Sequence, residues 1–266
     1  MLVTVVTITR TRPELLARAM ESVQEQDLDR PFEHLVVVDA CPDSYRMLAA
    51  RSWPDRTRWL VVSRTSTERS GPGRSSVLRN MAVRISDARW IAFIDDDNEW
   101  EPDHLSSLVA CAERTGSRAV HSHLQMRYRD GRPYLEQRDP WIRDPAAAAA
   151  HHADLVRKGV VVPGSCVWRD RLDPPGTADP VVSVDTGEWL LARDLLLEVP
   201  FCETFTARDA ANAIGEDDKL AAALHERGEP VASSGRPTLI YHLGGYSNDV
   251  SEPFDPTFSW STEGDA

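Results

Sequence analysis

Cysteine is scarce in this chain, four in 266 residues, and Cys41, Cys111, Cys166 and Cys202 stand far apart with no Cys-x-x-Cys pair. That spacing offers no disulfide framework and no cysteine zinc site, so reduced, partly buried thiols are expected. Positive charge is also in deficit: 30 Lys and Arg against 42 Asp and Glu give a formal net charge of -12. Bulk binding to nucleic acid needs a basic surface that displaces counterions, which excludes that class and leaves any anionic ligand to be handled locally. No apolar run is long enough to span a bilayer. The opening MLVTVVTITR lacks a basic stretch ahead of an apolar segment and reads as a first strand rather than a signal peptide, so a cytoplasmic protein is the expectation. No internal repeat is present, and the alanine run at 146–150 is the only low-complexity segment.

What is present is an ordinary globular balance, 41% hydrophobic and 27% charged residues, enough for a sizeable core. LVTVVTI, HLVVVD, RWLVVS and RWIAFIDDD are short runs rich in Val and Ile, bounded by polar residues, as strands buried on both faces are. Between the first two, TRPELLARAMESVQEQ places Pro13 in a first helical turn and Leu15, Ala19 and Val23 on one stripe, joined by Leu16 and Met20. SSVLRNMAVRIS and PDHLSSLVACAER repeat the helical pattern. This alternation predicts a parallel sheet with both faces covered, and ligands bind beyond the carboxyl ends of such strands. Asp39 and the triplet Asp95, Asp96 and Asp97 sit at such ends.

Adjacent carboxylates repel one another unless positive charge sits among them. The triplet therefore points either to a divalent cation, with oxygen ligands that suit Mg or Mn better than Zn, or to a solvated turn that caps the helix starting near Pro102, with Asp97 or Asn98 as the cap. Asp39 at a second strand end adds a place where a ribose or base is gripped. In the second half, QMRYRDGRPYLEQ reads as a hairpin about an Asp-Gly turn and DPAAAAAHHADLVRKG as a helix stopped by glycine. ARDAANAIGEDDKLAAALHERG reads as one helix ending at Gly228. Taken alone, IGEDDKLAAALHERG has Glu216, Asp217 and Asp218 opening a helix, the commonest role of such acidic residues being to complement the dipole; a general base among them is the alternative. His121 and His123 share a strand face and His151 and His152 are adjacent, which suits a zinc site less well than ordinary core or surface histidines.

Five segments in order, from residue 3 to about 229, carry a resemblance to the family 2 glycosyltransferases: TVVTITRTRPELLARAMESVQEQ, HLVVVDACPD, GRSSVLRNMAV, WIAFIDDDNEWEPDHL with its DxD, and EWLLARDLLLEVPF followed by IGEDDKLAAALHERG. The resemblance implies a GT-A fold, a Rossmann-like, mostly parallel α/β sheet with helices on both faces and a smaller acceptor-side α+β portion. It implies one domain over 1–243, with a nucleotide-binding half at 1–118, an acceptor-binding half at 119–243, and a tail at 244–266 that is a lid or a frayed end. It implies hexosyl transfer with inversion from a nucleotide-diphosphate sugar, UDP-linked by preference, to a small or carrier-bound hydroxyl acceptor, with Mn or Mg. Thr7, Thr9 and Arg12 would lie beside the nucleotide, Asp39 on its base or ribose, Arg79 on the diphosphate and Asp95 near the ribose with Asp96 next to it. Asp97 would be the main metal ligand and His242 an additional contact; Asp217, the second of the Glu216-Asp217 pair, would be the general base. The pattern departs at ACPD after Asp39, which leaves base selectivity open, and at the glycine- and proline-rich SGPGRSS, a donor loop or a plain turn. A sugar nucleotidyltransferase would place a glycine-rich phosphate loop where TRTRPEL stands. A glycoside hydrolase has no need of three clustered aspartates, and a non-catalytic nucleotide-sugar or glycan binder would not need the Asp95, Asp97 and Asp217 set.

Overall fold

The structure, a computed structural model, describes residues 1–65 and 71–245. Of the SGPGRSS segment only Ser70 lies outside the described residues: Gly71 is the N-cap and Pro72 to Ser76 the opening turns of a helix, so neither a donor loop nor a plain turn stands there. Nearly all of the proposed lid lies outside the described residues.

The strands are β1 Val3–Thr9, β2 Phe32–Asp39, β3 Thr57–Val62, β4 Trp90–Phe93, β5 Glu99–Trp100, β6 Ala119–Arg127, β7 Val167–Trp168, β8 Arg171–Leu172, β9 Val182–Ser183, β10 Trp189–Ala192 and β11 Val231–His242. The helices are α1 Pro13–Gln24, α2 Pro42–Ala50, α3 Pro72–Ile85, α4 His104–Thr115, α5 Pro145–Arg157, α6 Arg193–Glu198, α7 Ala207–Ala211 and α8 Glu216–Arg227, with a 3-10 turn at Thr186–Glu188. Nine strands form one sheet in the order β3-β2-β1-β4-β10-β6-β11-β5, with β7 paired to β6. The first four run parallel, β10 turns against both β4 and β6, and β6 and β11 resume the common direction. The parallel half is the one read from the Val- and Ile-rich runs; the antiparallel insertion of β10 had no signal in those runs.

Both faces are covered, as period-two alternation requires. Val36 and Val38 of β2 pack with Leu16 and Met20 of α1 and Leu48 of α2. Leu35 and Val37, turned the other way, join the main core with Leu78 and Val83 of α3. Helix α1 begins at Pro13, as predicted. Helix α2 was not foreseen; Pro42 opens it and the Cys41 sulfur accepts the Ser44 N–H at 3.5 Å.

Three expectations need correction. The segment from Ala207 to Arg227 is two helices, broken at Asn212 to Gly215. Ala213 takes a positive φ of 51° there, and Asp218 folds back to accept the Gly215 N–H at 2.8 Å, which starts a new helix. The hairpin of QMRYRDGRPYLEQ keeps its turn, with Tyr128 N–H on Arg132 O at 2.8 Å, but its return arm is reduced to a single bridge, Arg127 with Pro133. Neither Asp97 nor Asn98 caps the next helix: Asp103 precedes α4, and the Asn98 side chain instead accepts the His242 N–H at 3.0 Å.

Candidate active site

The last ladder bond of the β1–β4 pair, Ile94 N–H to Val6 O at 3.0 Å, releases the chain into the aspartate triplet. The turn is closed by Asn98 N–H on Asp95 O at 3.2 Å. Asp96 is buried beneath it, with Asp95 and Asp97 half-buried on either side. Arg12, from the turn between β1 and α1, forks across Asp96 and Asp97, one terminal nitrogen to each carboxylate. Such a two-pronged grip is what the guanidinium geometry favours.

The second arginine joins distant segments. Arg79, on α3 and only 5% exposed, donates from Nη2 to Asp95 at 2.7 Å and from Nη1 to Glu216 at the start of α8. Its guanidinium rests 5.6 Å over the Phe201 ring, and Phe201 meets Phe93 edge-on at 5.2 Å. Strand-end carboxylates and the acidic helix start are thereby brought into one site. Asp39 at the end of β2 takes Arg74 at 2.8 Å, with Arg64 at 3.4 Å on its other oxygen.

The electrostatics follow from this arrangement. Burial pushes Asp96 up to about 7, with Arg12 opposing and Asp97 adding repulsion. Burial also raises Asp97, again against Arg12, with Asp95 adding to the rise. Asp217 goes well above the usual carboxylate range, first through burial and then through Asp218, Glu216 and Asp185. Burial works against the Arg79 charge, but Glu216, Asp95 and Asp217 outweigh it and hold the guanidinium protonated. The glycine before α8 has a local reason: a Cβ at Gly215 would collide with the Asp217 carboxylate.

Of the residues predicted for the site, Arg12, Arg79, Asp95, Asp96, Asp97 and Glu216 meet through ion pairs, with Asp217 beside Glu216. Thr9 ends β1 next to Asp96. Thr7 faces the sheet interior, fully buried, with its hydroxyl 2.9 Å from His34 Nε2. His242 is buried with Nε2 at 2.7 Å from Glu99, which also takes Arg18 at 3.2 Å. Among the described residues, Asp95, Asp97 and His242 do not gather three ligand atoms within 4.8 Å of one another. In kind, the donor set still fits a hard divalent cation, since Asp95 and Asp97 offer carboxylate oxygens with no thiolate nearby.

Residues 4–171 match the model of Glycosyl transferase family 2. The chain belongs to that family. Among relatives of this family 2 chain, the succinoglycan biosynthesis protein ExoO of Rhizobium meliloti (strain 1021) is 29% identical over 130 residues, 49% of this chain and 35% of that protein. The chain spans about a third of the length of the curated relatives it matches. Among solved structures, Staphylococcus aureus TarS 1-349 in complex with UDP-GlcNAc aligns over 96% of this chain and 62% of its own, with TM-score 0.58 and 15% identity. The mannosyltransferase PcManGT of Pyrobaculum calidifontis, in complex with GDP-Man and Mn2+, aligns over 90% of this chain and 56% of its own, with TM-score 0.57 and 19% identity. These likenesses establish the GT-A fold of the family 2 chain.

Sequence reasoning missed one member of the site. Asp185 caps the 3-10 turn, accepting the Gly187 N–H at 2.7 Å, while Glu188 reaches back to the Asp185 N–H at 3.1 Å. Burial and Asp95 push the Asp185 carboxyl well up, and it adds in turn to the rise at Asp217. The Asp-x-x-Glu of VSVDTGEW is a capping-box pattern that marks this turn in the sequence.

Proposed function

We propose that this chain is an inverting, divalent-metal-dependent transferase that moves a hexosyl group from a nucleotide-diphosphate sugar, a UDP-sugar by preference, to a hydroxyl acceptor. The observation that carries the reading is the Asp95–Arg79–Glu216 bridge, which sets the strand-end carboxylates beside Asp217. The acceptor oxygen attacks the anomeric carbon as the bond to the diphosphate breaks, and its proton passes to the Asp217 carboxylate on the opposite side. A raised pKa makes that carboxylate a stronger base than an exposed aspartate. Arg12 and Arg79 orient the diphosphate and balance its charge. Thr7, Thr9 and Asp39 complete the nucleotide side, and 119–243 shape the acceptor side. Asp97 with Asp95 would hold Mn or Mg, His242 being a further donor if it exchanges Glu99 for the ion; when bound, the cation supplies positive charge to the leaving diphosphate. UDP-GlcNAc bound to TarS supports the donor class, and relatives named for succinoglycan and colanic acid biosynthesis support a glycan acceptor. Among the described residues no helix is long and apolar enough to cross a membrane, which agrees with a cytoplasmic transferase acting on a soluble or carrier-bound acceptor.

Calorimetric titration with UDP, GDP, TDP and CDP, each with Mn, with Mg and with EDTA, tests the donor half. Tight binding of one nucleotide that disappears in EDTA is expected, and no binding to any would sink the transferase reading. The base half has its own signature in pH. Asp217 acts deprotonated and its pKa is raised, so activity is lost on acidification while the pH is still above about 3.9, the usual aspartate value. An acid limb of kcat at or below that value would remove Asp217 from the role.

A further inference from the structure

Outside the donor site, β6, β10 and the 3-10 turn bring three side chains together. The ligand atoms of His121, His123 and Glu188 all lie within 4.8 Å of one another. His121 is 2% exposed and Glu188 fully buried, with His123 half-buried at the rim. Trp189, which follows Glu188, pairs in register with His121 across the β10–β6 ladder, so the sheet itself fixes their approach.

The bonding around the three side chains points inward. His121 Nδ1 lies 2.6 Å from the Ser122 carbonyl and donates to it, which leaves Nε2 with its lone pair free for a ligand. Glu188 spends Oε2 on the Asp185 N–H at 3.1 Å, and its carboxyl is also hydrogen-bonded to that of the buried Asp170. His123 Nδ1 is buried with no hydrogen-bond partner. Two carboxyls packed together in a closed interior repel one another when ionised unless a cation sits among them, and two imidazoles with one carboxylate are a ligand set for a borderline transition cation rather than for Mg. Zinc holds such ligands at about 2.0–2.2 Å, so three donors at this spacing need to draw in by only about an ångström.

We infer that His121, His123 and Glu188 form a second metal site, separate from the aspartate triplet, that takes a borderline divalent cation of the zinc type. Bound there, the cation pins the 3-10 turn to β6. That turn carries Asp185, which Asp95 pushes up and which adds to the rise at Asp217, so the site is placed to steady the Asp217 end of the donor site without touching substrate.

Cobalt(II) is the probe, because its visible d–d absorption is strong in tetrahedral nitrogen–oxygen coordination and it replaces zinc readily. The purified full chain is titrated with cobalt and then with zinc, beside Asp97→Ala, His123→Gln and Glu188→Gln, with far-UV circular dichroism to check folding. One equivalent of tetrahedral cobalt, displaced by zinc and fully retained in Asp97→Ala, is expected. His123→Gln and Glu188→Gln are expected to weaken it by at least about 100-fold, the upper end of what loss of a supporting group alone costs. Absence of the spectrum in the unaltered chain overturns the inference, as does a spectrum lost in Asp97→Ala or unchanged in His123→Gln. Should Glu188→Gln fail to fold, the unaltered chain, Asp97→Ala and the rim variant His123→Gln still decide the matter. The readout is the metal itself, so it is independent of whether the chain transfers a sugar.

Discussion

Asp97→Ala is expected to abolish the cation-dependent part of nucleotide binding while the chain stays folded. Asp97 is half-buried beside Asp95 and pairs with the Arg12 fork that it shares with Asp96. On the proposed reading its removal takes away the main oxygen donor, and affinity for the nucleotide in Mn should fall by at least about 100-fold, since even a supporting group beyond the ligands is worth 10–100-fold. Stability is expected to move little or upward. Burial raises the folded-state pKa of Asp97 above its unfolded value, so its charge costs stability at neutral pH, and Arg12 retains Asp96 as a partner. Calorimetry in Mn and in EDTA, with thermal unfolding alongside, gives both numbers; a variant that still binds the nucleotide tightly and EDTA-sensitively would move the ion elsewhere.

Asp217→Asn should leave donor binding near that of the unaltered chain and lower transfer by about 10²–10⁴-fold, the range a positioned general base supplies. Asparagine keeps the shape of the side chain and can still accept the Asp218 N–H, which lies 3.0 Å from Asp217 Oδ1. Only the capacity to take a proton is lost. Glu216→Gln is the companion variant: Glu216 is bound to Arg79, so its change acts through the diphosphate side and should weaken donor affinity as well as rate. Single-turnover assays with the donor chosen by calorimetry separate the two, and near-normal turnover in Asp217→Asn would show that another group takes the proton.

Much of this was legible in the sequence, for identifiable reasons. β1, β2 and β4 are buried on both faces, so their Val and Ile runs name them directly, and aspartates stand at the ends of β2 and β4. β3 was read the same way but is the half-exposed edge of the sheet, with Val61 54% exposed. The helices with one apolar stripe, such as α1 with Leu16, Met20 and Val23, were equally plain. What escaped depended on contacts far apart in sequence. Nothing local says that Arg79 spans from Asp95 to Glu216, or that β10 enters the sheet antiparallel between β4 and β6. α2 was hidden because its nine residues bury only Ser44 and Leu48, too narrow a stripe for periodicity to show. The break before Gly215 was masked by good helix formers on both sides, and it is tertiary in origin, since Arg79 and Asp218 hold that terminus in place. His121, His123 and Glu188 were half visible, the histidines by their shared face and the glutamate not at all until the 3-10 turn was seen.

The arginines of this site arrive already paired: Arg12 with Asp96 and Asp97, Arg79 with Asp95 and Glu216, Arg74 with Asp39. On the proposed reading, a cation that settles between Asp95 and Asp97 competes with Arg12 and Arg79 for those oxygens and sets both guanidiniums loose toward the diphosphate. A diphosphate that recruits them leaves the carboxylates to the cation. Cation and donor thus become partners in a reciprocal linkage: each tightens the other by the same factor, whichever binds first. The resting ion pairs then act as a latch that neither ligand opens efficiently alone.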